Sequence, residues 1–128
     1  MKYKIDIVRI RENSITLNGW VLGKSPESRA TFRVEDERHN PVKYKLVTTR
    51  RDDVSQIYFK KTYDRDFGFD IQFPYERGKT YWLLIRCEGR QAKIKYNEEL
   101  IAKRSSVAHK RMEKIKDLMN METVRVAA

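Results

Sequence analysis

The chain has 128 residues, with 28 Lys and Arg against 18 Asp and Glu, a formal net charge of +10, and a single cysteine, Cys87. This length suits one domain with a short appendage and excludes two independent domains, while one cysteine excludes an internal disulfide framework. The first residues lack the apolar core of a secretory signal, and no stretch approaches the roughly 18 uninterrupted apolar residues of a membrane span. We therefore expect a cytoplasmic protein whose membrane contact is peripheral, at the inner face.

Alternation of apolar and polar residues predicts seven short strands, since side chains of a strand point to opposite faces in turn. They lie at residues 3–8, 15–21, 30–34, 42–46, 67–73, 81–87 and 92–96. Turn residues between the first two and between the next two predict two hairpins. Between Arg50 and Thr62 the alternation stops, and we expect a short helix capped by Asp52 or Asp53.

This spacing of strands predicts an all-β fold, an antiparallel immunoglobulin-like β-sandwich with a C-terminal α-helix. The run Tyr81–Cys87 is apolar enough to lie in the centre of a sheet, with Cys87 as a small buried residue. A small β-barrel is the alternative architecture.

The period changes after Tyr96. Asn97 is a predicted N-cap, and Ile101, Ala108 and Ile115 recur every seven residues on one helix face. The predicted organisation is a β-sandwich over residues 1–96, a linker or docking helix over 97–121, and residues 122–128 as a disordered tail or the cut end of a longer protein. The helix could cover its own domain, associate with a second copy, or contact anionic lipid.

Positive charge is concentrated in the β part. Residues 1–96 contain 21 basic and 13 acidic side chains, an excess of +8. Such a surface favours anionic partners such as nucleic acid, a phosphorylated or otherwise anionic glycan, or the inner membrane surface, without choosing among them.

No catalytic, cofactor or metal site is predicted. His39 and His109 have no Cys or His at metal-ligand spacing, Cys87 lies in the most apolar strand, and no phosphate-binding glycine loop or nucleophile elbow occurs. The acidic residues near the irregular segment alternate with basic ones, so we interpret them as salt bridges and turn caps. They are Asp52, Asp53, Asp64, Asp66 and Asp70.

Aromatic residues offer the other possible chemistry, since an aromatic face beside Arg or Asp can stack a sugar ring or a base. Trp20 follows Gly19 within an alternating strand and is expected in the core. Tyr58 and Tyr75 lie near turns and are the predicted surface rings. With Arg51 and Asp53, they form the predicted set of glycan contacts.

A resemblance is carried by Gly19-Trp20-Val21, Arg51-Asp52-Asp53-Val54 and Gly68-Phe69-Asp70-Ile71, followed by Lys93-Ile94-Lys95-Tyr96 and the charged helix. In this order and spacing they resemble the β-sandwich domain that precedes the catalytic domain in some bacterial family-two glycosyltransferases, which build cell-surface polysaccharides. The resemblance implies that this chain is not itself an enzyme. It would be an accessory domain that positions acceptor glycan or docks the transferase domain, which follows it in the parent protein.

The motif residues also have a physical interpretation as structural hallmarks. Arg51 would pair with Asp53 and fix the irregular segment, Gly68 would allow close backbone approach, and Phe69 would fill the core.

Two other functions are open. A nucleic-acid-binding β-barrel would use the +8 excess and the surface tyrosines. A glycan-binding module would have an exposed groove floored by an aromatic residue, with Arg or Asp at its rim.

Overall fold

The computed structural model describes residues 1–102, whose seven strands form two antiparallel sheets. The elements are β1 (Lys2–Arg11), β2 (Ser14–Leu22), β3 (Ala30–Asp36), β4 (Lys45–Thr49), α1 (Asp52–Phe59), β5 (Gly68–Pro74), β6 (Tyr81–Cys87) and β7 (Arg90–Tyr96). The four-stranded sheet has the order β1-β2-β5-β4, and the three-stranded sheet has the order β3-β6-β7. The prediction of an all-β protein is confirmed, and the described strands form two sheets instead of one closed barrel.

Two tight turns make the local hairpins. β1 pairs with β2 as predicted, and Glu12 and Asn13 form the loop between the paired residues Arg11 and Ser14. β6 pairs with β7 through Glu88 and Gly89, whose φ angles of 53° and 74° are those of a type I′ turn. β6 is the central strand of its sheet, as its apolar sequence predicts.

The second predicted hairpin is wrong. β3 pairs with β6 and β4 pairs with β5, so the two strands lie in different sheets. Only a single bridge between Glu35 and Pro41 marks the place where the chain turns back. The fourth strand also begins at Lys45, later than the predicted Val42. For β3 this pairing places Val34 in the common core, whereas Leu46 and Val47 of β4 remain exposed at the border of the other sheet.

The inward faces of the two sheets share one core. The four-stranded sheet contributes Ile15, Leu17, Phe69, Ile71 and Phe73, and the three-stranded sheet contributes Val34, Leu83, Ile85, Cys87, Ile94 and Tyr96. Each of these side chains is at most 8% exposed. β5 and β6 therefore hold the two layers together through large apolar side chains.

A second, smaller cluster lies on the outer side of the four-stranded sheet, beneath α1. Trp20 and Leu22 of β2 meet Val54 of α1 and Phe67 there, so β2 is buried on both faces at this end. The expectation that Trp20 is buried is confirmed at 7% exposure, although it fills this cluster instead of the main core.

The predicted cap of α1 is wrong. Arg51 occupies the N-cap position without a side-chain hydrogen bond, and Asp52 and Asp53 lie in the first helical turn. There the two carboxylates face the positive end of the helix dipole. Ser55, which is fully buried, donates to the backbone oxygen of Lys61 at 2.6 Å and holds the segment after the helix.

The chain leaves β7 into a helical turn at residues 98–102. The backbone nitrogen of Leu100 donates to Asn97 Oδ1 at 2.8 Å, which confirms Asn97 as the N-cap. Ile101 is 4% exposed and belongs to the main core, so this turn is docked on the sheets. The rest of the predicted 97–121 helix and the 122–128 tail lie outside the described residues.

Candidate functional site

Of the four predicted glycan contacts, Arg51 and Asp53 contact each other, and the two tyrosines lie in different surroundings. Tyr58 is 41% exposed on α1, with Lys2 Nζ 4.5 Å from its ring centroid. Tyr75 is only 3% exposed and packs 5.6 Å from the ring of Tyr81 in the main core. The prediction that Tyr75 is a surface ring is therefore wrong. Its backbone nitrogen donates to the Asn13 oxygen at 2.9 Å, which holds the segment after β5 against the first hairpin.

Arg51 and two carboxylates form what we call the Arg51 junction. Arg51 Nε and one terminal nitrogen donate to the two carboxylate oxygens of Asp53 at 3.0 and 2.9 Å, and the other terminal nitrogen donates to Asp6 at 2.9 Å. The predicted Arg51–Asp53 pairing is confirmed. All three guanidinium nitrogens are engaged within the protein, which is the arrangement of a structural clamp between α1 and β1.

A β-bulge delivers Asp6 to this junction. Ile5 pairs with Gly19 and Ile7 pairs with Asn18, so Asp6 is the extra residue in β1. A Cβ on Gly19 would overlap the backbone oxygen of Lys4 and lie 3.1 Å from Ile5 Cα. The bulge therefore requires glycine at the facing position, which is a physical reason for the Gly19-Trp20 motif.

The second motif glycine lies against the stem of Arg51. A Cβ on Gly68 would lie 2.6 Å from Arg51 Cγ and would overlap Thr49 Oγ1. The close backbone approach predicted at Gly68 is confirmed, and Phe69, at 1% exposure, fills the core as predicted. Gly68 thus contacts the Arg51 junction directly, and Gly19 supports it by accommodating the bulge that carries Asp6.

Electrostatics within the junction follow from its geometry. The carboxylates of Asp53 and Asp6 raise the pKa of the Arg51 guanidinium above its ordinary value. The hydrogen bonds from Arg51 lower the pKa of Asp53 in return. Both groups are therefore charged at neutral pH, and the guanidinium nitrogens of Arg51 are already engaged by Asp53 and Asp6.

A concave polar site adjoins the junction at the other side of Gly68. We call it the β3–β4 cleft, a volume of about 440 Å³ between the start of β3 and the end of β4. It exists because these two strands part into different sheets. Apolar residues floor it, namely Val21, Ala30, Phe32, Phe67 and Phe69, and polar residues line its rim, namely Ser28, Arg29, Thr48, Asp64, Arg65 and Asp66.

The acidic and basic side chains at the rim of the cleft differ in whether they have partners within the described residues. Asp64 accepts from Arg50 at 3.1 Å, and Asp66 accepts from Thr48 Oγ1 at 2.8 Å, so both acids have partners inside the protein. Within residues 1–102, neither Arg29 nor Arg65 makes an ion pair with a carboxylate. Two guanidinium groups with unused donors thus border an aromatic floor, an arrangement that can hold a planar anionic group by paired hydrogen bonds.

Sequence reasoning missed Arg29, Arg65 and Phe32. Arg29 and Phe32 lie around the start of β3 and Arg65 lies just before β5, and these two segments come together only in the folded chain. The acidic residues Asp64 and Asp66 were expected in salt bridges or caps, and the contacts of Asp64 agree with that interpretation.

Cys87 is 2% exposed, and burial raises the pKa of its thiol, which is the environment of an unreactive structural cysteine. Residues 1–102 contain no group of three or more His, Cys, Asp or Glu placed to hold a metal ion. In the same part of the chain, no helix is long and apolar enough to cross a membrane.

Comparison with known proteins gives no relative from which to transfer a function. No protein-family model matches the sequence, and no curated protein matches it.

Proposed function

We propose that this chain is an immunoglobulin-like β-sandwich that serves as a non-catalytic accessory domain of a bacterial glycosyltransferase. It binds the acceptor glycan and presents it to a catalytic domain that follows in the parent protein. The proposal starts from the resemblance of Gly19-Trp20-Val21, Arg51-Asp52-Asp53-Val54, Gly68-Phe69-Asp70-Ile71 and Lys93-Ile94-Lys95-Tyr96 to that family. Three residues of these segments, Arg51, Asp53 and Gly68, lie together at the junction that clamps α1 to β1, which supports the interpretation of the motif as a structural hallmark.

The β3–β4 cleft is the single observation that carries the proposed activity. Its volume of about 440 Å³ lies within the range of small-ligand sites. Its aromatic floor and arginine rim have the composition expected of a glycan-binding groove. Because Arg29 and Arg65 form no ion pair within the described residues 1–102 while Asp64 and Asp66 already have partners, the cleft favours a sugar that carries a carboxylate or phosphate.

The Arg51 junction supports the cleft indirectly. Gly68 lines the cleft and also touches the stem of Arg51, so the clamp fixes one wall of the site. A wall held by a bidentate ion pair keeps its shape before ligand arrives, and preorganisation of this kind lowers the entropic cost of binding.

The transferase chemistry belongs, in this proposal, to the downstream domain, and the parent protein works in the cytoplasm at the inner membrane face. The buried Ile101 docks the helical turn at residues 98–102 on the sheets, at the end of the chain that would precede the catalytic domain.

A direct test is an NMR titration of the isotope-labelled chain with acidic oligosaccharides, uronic acid or sugar phosphate, and with neutral oligosaccharides of the same length. We expect chemical-shift changes at Ala30, Phe32, Thr48 and Gly68 with the acidic series. The double variant Arg29→Gln/Arg65→Gln should weaken binding about tenfold or more, because it removes both free guanidinium groups.

Arg11→Gln/Arg90→Gln is the matched control, since it removes two exposed positive charges outside the cleft. Unchanged spectra with every acidic oligosaccharide would refute the glycan site. The accessory role is tested separately by the native gene, which should encode a sugar-nucleotide-dependent transferase after residue 128.

Nucleic-acid binding is the second candidate, favoured by the excess of +8 in residues 1–96. It predicts affinity for single-stranded RNA that falls steeply with salt, because bound phosphates release counterions. A fluorescence anisotropy titration at low salt that shows no binding would eliminate it.

A further inference from the structure

The outer surface of the three-stranded sheet carries several basic side chains around one tryptophan. Inward side chains of β3, β6 and β7 fill the core, so the alternate residues face outward. Cross-strand pairing places Leu84 between Arg33 on β3 and Lys93 on β7, and it brings Trp82 beside Lys95. We call this surface the cationic sheet face, and it consists of Arg33, Trp82, Leu84, Arg86, Lys93 and Lys95.

Positive charge on this face is hardly neutralised. Glu35 is the only acidic residue at the outward positions of these three strands, and it is already engaged. It accepts from Arg33 Nε at 2.7 Å and lies 3.3 Å from His39 Nδ1. Lys93 and Lys95 are exposed, and within residues 1–102 neither forms an ion pair with a carboxylate.

Trp82 organises the two lysines. Lys93 Nζ lies 4.6 Å and Lys95 Nζ 5.7 Å from the centroid of its indole ring, both within cation–π range. The ring is also bordered by His39, whose centroid is 6.5 Å away. Two ammonium groups therefore occupy the neighbourhood of the ring where a base or a sugar would have to stack.

The cationic sheet face is broad, which suits an extended anionic surface better than a single base or sugar. The side chains are spread over three neighbouring strands of a sheet, so the charges form a broad surface and not a channel. Arg86, Lys93 and Lys95 form no ion pair within residues 1–102, and such an array of cations around a tryptophan is complementary to a broad array of anions. Tryptophan and lysine are also the residues that favour the boundary between water and lipid.

From this charge complementarity we propose that the cationic sheet face docks onto the surface of an anionic phospholipid bilayer. The phosphate groups of several lipids pair with Lys93, Lys95 and Arg86, and the indole of Trp82 lies at headgroup level. The inference does not depend on the glycan site, which lies at the β3–β4 cleft and uses other residues.

Vesicle co-sedimentation of the full chain tests this docking. The probes are vesicles of phosphatidylcholine and phosphatidylglycerol in equal amounts, and vesicles of phosphatidylcholine alone. We expect sedimentation with the anionic vesicles only, decreasing as salt is added. Lys93→Gln/Lys95→Gln should lower the partition coefficient about 30-fold, since each basic residue near an anionic surface contributes roughly fivefold.

The chain offers a closely matched control. Lys43 and Lys45 are also exposed lysines two residues apart, and Lys45 lies on β4 in the other sheet. Lys43→Gln/Lys45→Gln removes the same charge and should leave vesicle binding within about twofold of the unmodified chain. Circular dichroism of both variants establishes that each retains the β-sheet spectrum.

Three results would overturn the proposal. The first is no sedimentation of the unmodified chain with anionic vesicles. The second is an equal loss of binding in the two lysine variants, which would mean that net charge and not this face drives association. The third is binding of single-stranded RNA by the cationic sheet face without binding of vesicles, which would assign the face to nucleic acid.

Discussion

Replacing Arg51 by Met removes both ion pairs of the Arg51 junction and keeps an aliphatic side-chain stem against Gly68. The partners are removed by Asp6→Asn and Asp53→Asn, so that two double-mutant cycles measure each coupling free energy. Asp53 receives two hydrogen bonds from Arg51 and Asp6 receives one. By bond count alone, the Arg51–Asp53 pair would contribute more to stability.

Exposure and sequence distance reverse this order. The side chain of Asp53 is 61% exposed, whereas those of Arg51 and Asp6 are each 25% exposed. Asp53 is also two residues from Arg51, so part of their attraction persists in the unfolded chain and cancels from the free energy of unfolding. Asp6 is 45 residues away and meets Arg51 only after folding.

We therefore expect a coupling of about 1 kcal/mol for Arg51–Asp6 and about 0.3 kcal/mol for Arg51–Asp53, measured by urea denaturation. The exposed pair Arg50–Asp52, with side chains 46% and 51% exposed, serves as a reference whose coupling should be near zero. An Arg51–Asp53 coupling equal to or greater than that of Arg51–Asp6 would refute the reasoning.

Three further predictions concern single side chains. Gly19→Ala should lower the free energy of unfolding by about 2 kcal/mol or more in urea denaturation, because its Cβ would displace the β1 backbone at the bulge; an unchanged midpoint would contradict the bulge geometry. Tyr75→Phe should leave the thermal midpoint unchanged or raised, because the Tyr75 hydroxyl is buried without a partner in residues 1–102. Tyr81→Phe loses the 3.1 Å hydrogen bond from the Glu76 nitrogen and should lower the free energy of unfolding by about 1 kcal/mol. Equal effects of the two substitutions would contradict this contrast. Arg51 lowers the pKa of Asp53 in the folded state, so this pair stabilises the fold fully above the ordinary carboxyl pKa of 3.8 and less as pH falls through the folded pKa. Asp53→Asn should therefore flatten the acid limb of a plot of the free energy of unfolding against pH. Parallel acid limbs for the variant and the unmodified chain would argue against the pairing.

The sequence could predict what depends on neighbours along the chain. Alternation placed the strands, the apolar run Tyr81–Cys87 indicated the central strand, and Asn97 marked the start of the last helical turn. It could not predict that β3 and β4 join different sheets, because strand pairing depends on residues that are distant along the chain. The predicted hairpin would have paired β3 with β4 directly, and the cleft lies in the gap between these two strands.

Side-chain placement was predictable only where the local pattern was unambiguous. Tyr75 follows Pro74 at a turn, which is ordinarily an exposed setting, yet its backbone bond to Asn13 holds it in the core. Asp6 gave no signal as a partner of Arg51, because a bulge shifts the register by one residue and leaves no mark in composition.

The bulge in β1 also has a consequence for how copies of the protein behave in crowded solution. β1 is ten residues long and lies at the border of its sheet, so within residues 1–102 no strand pairs with one row of its amide and carbonyl groups. An uninterrupted border of this length would be a template for a strand from another molecule. The extra residue at Asp6 breaks that template near its middle and places a carboxylate there, so the feature that clamps α1 also guards against fibrous aggregation.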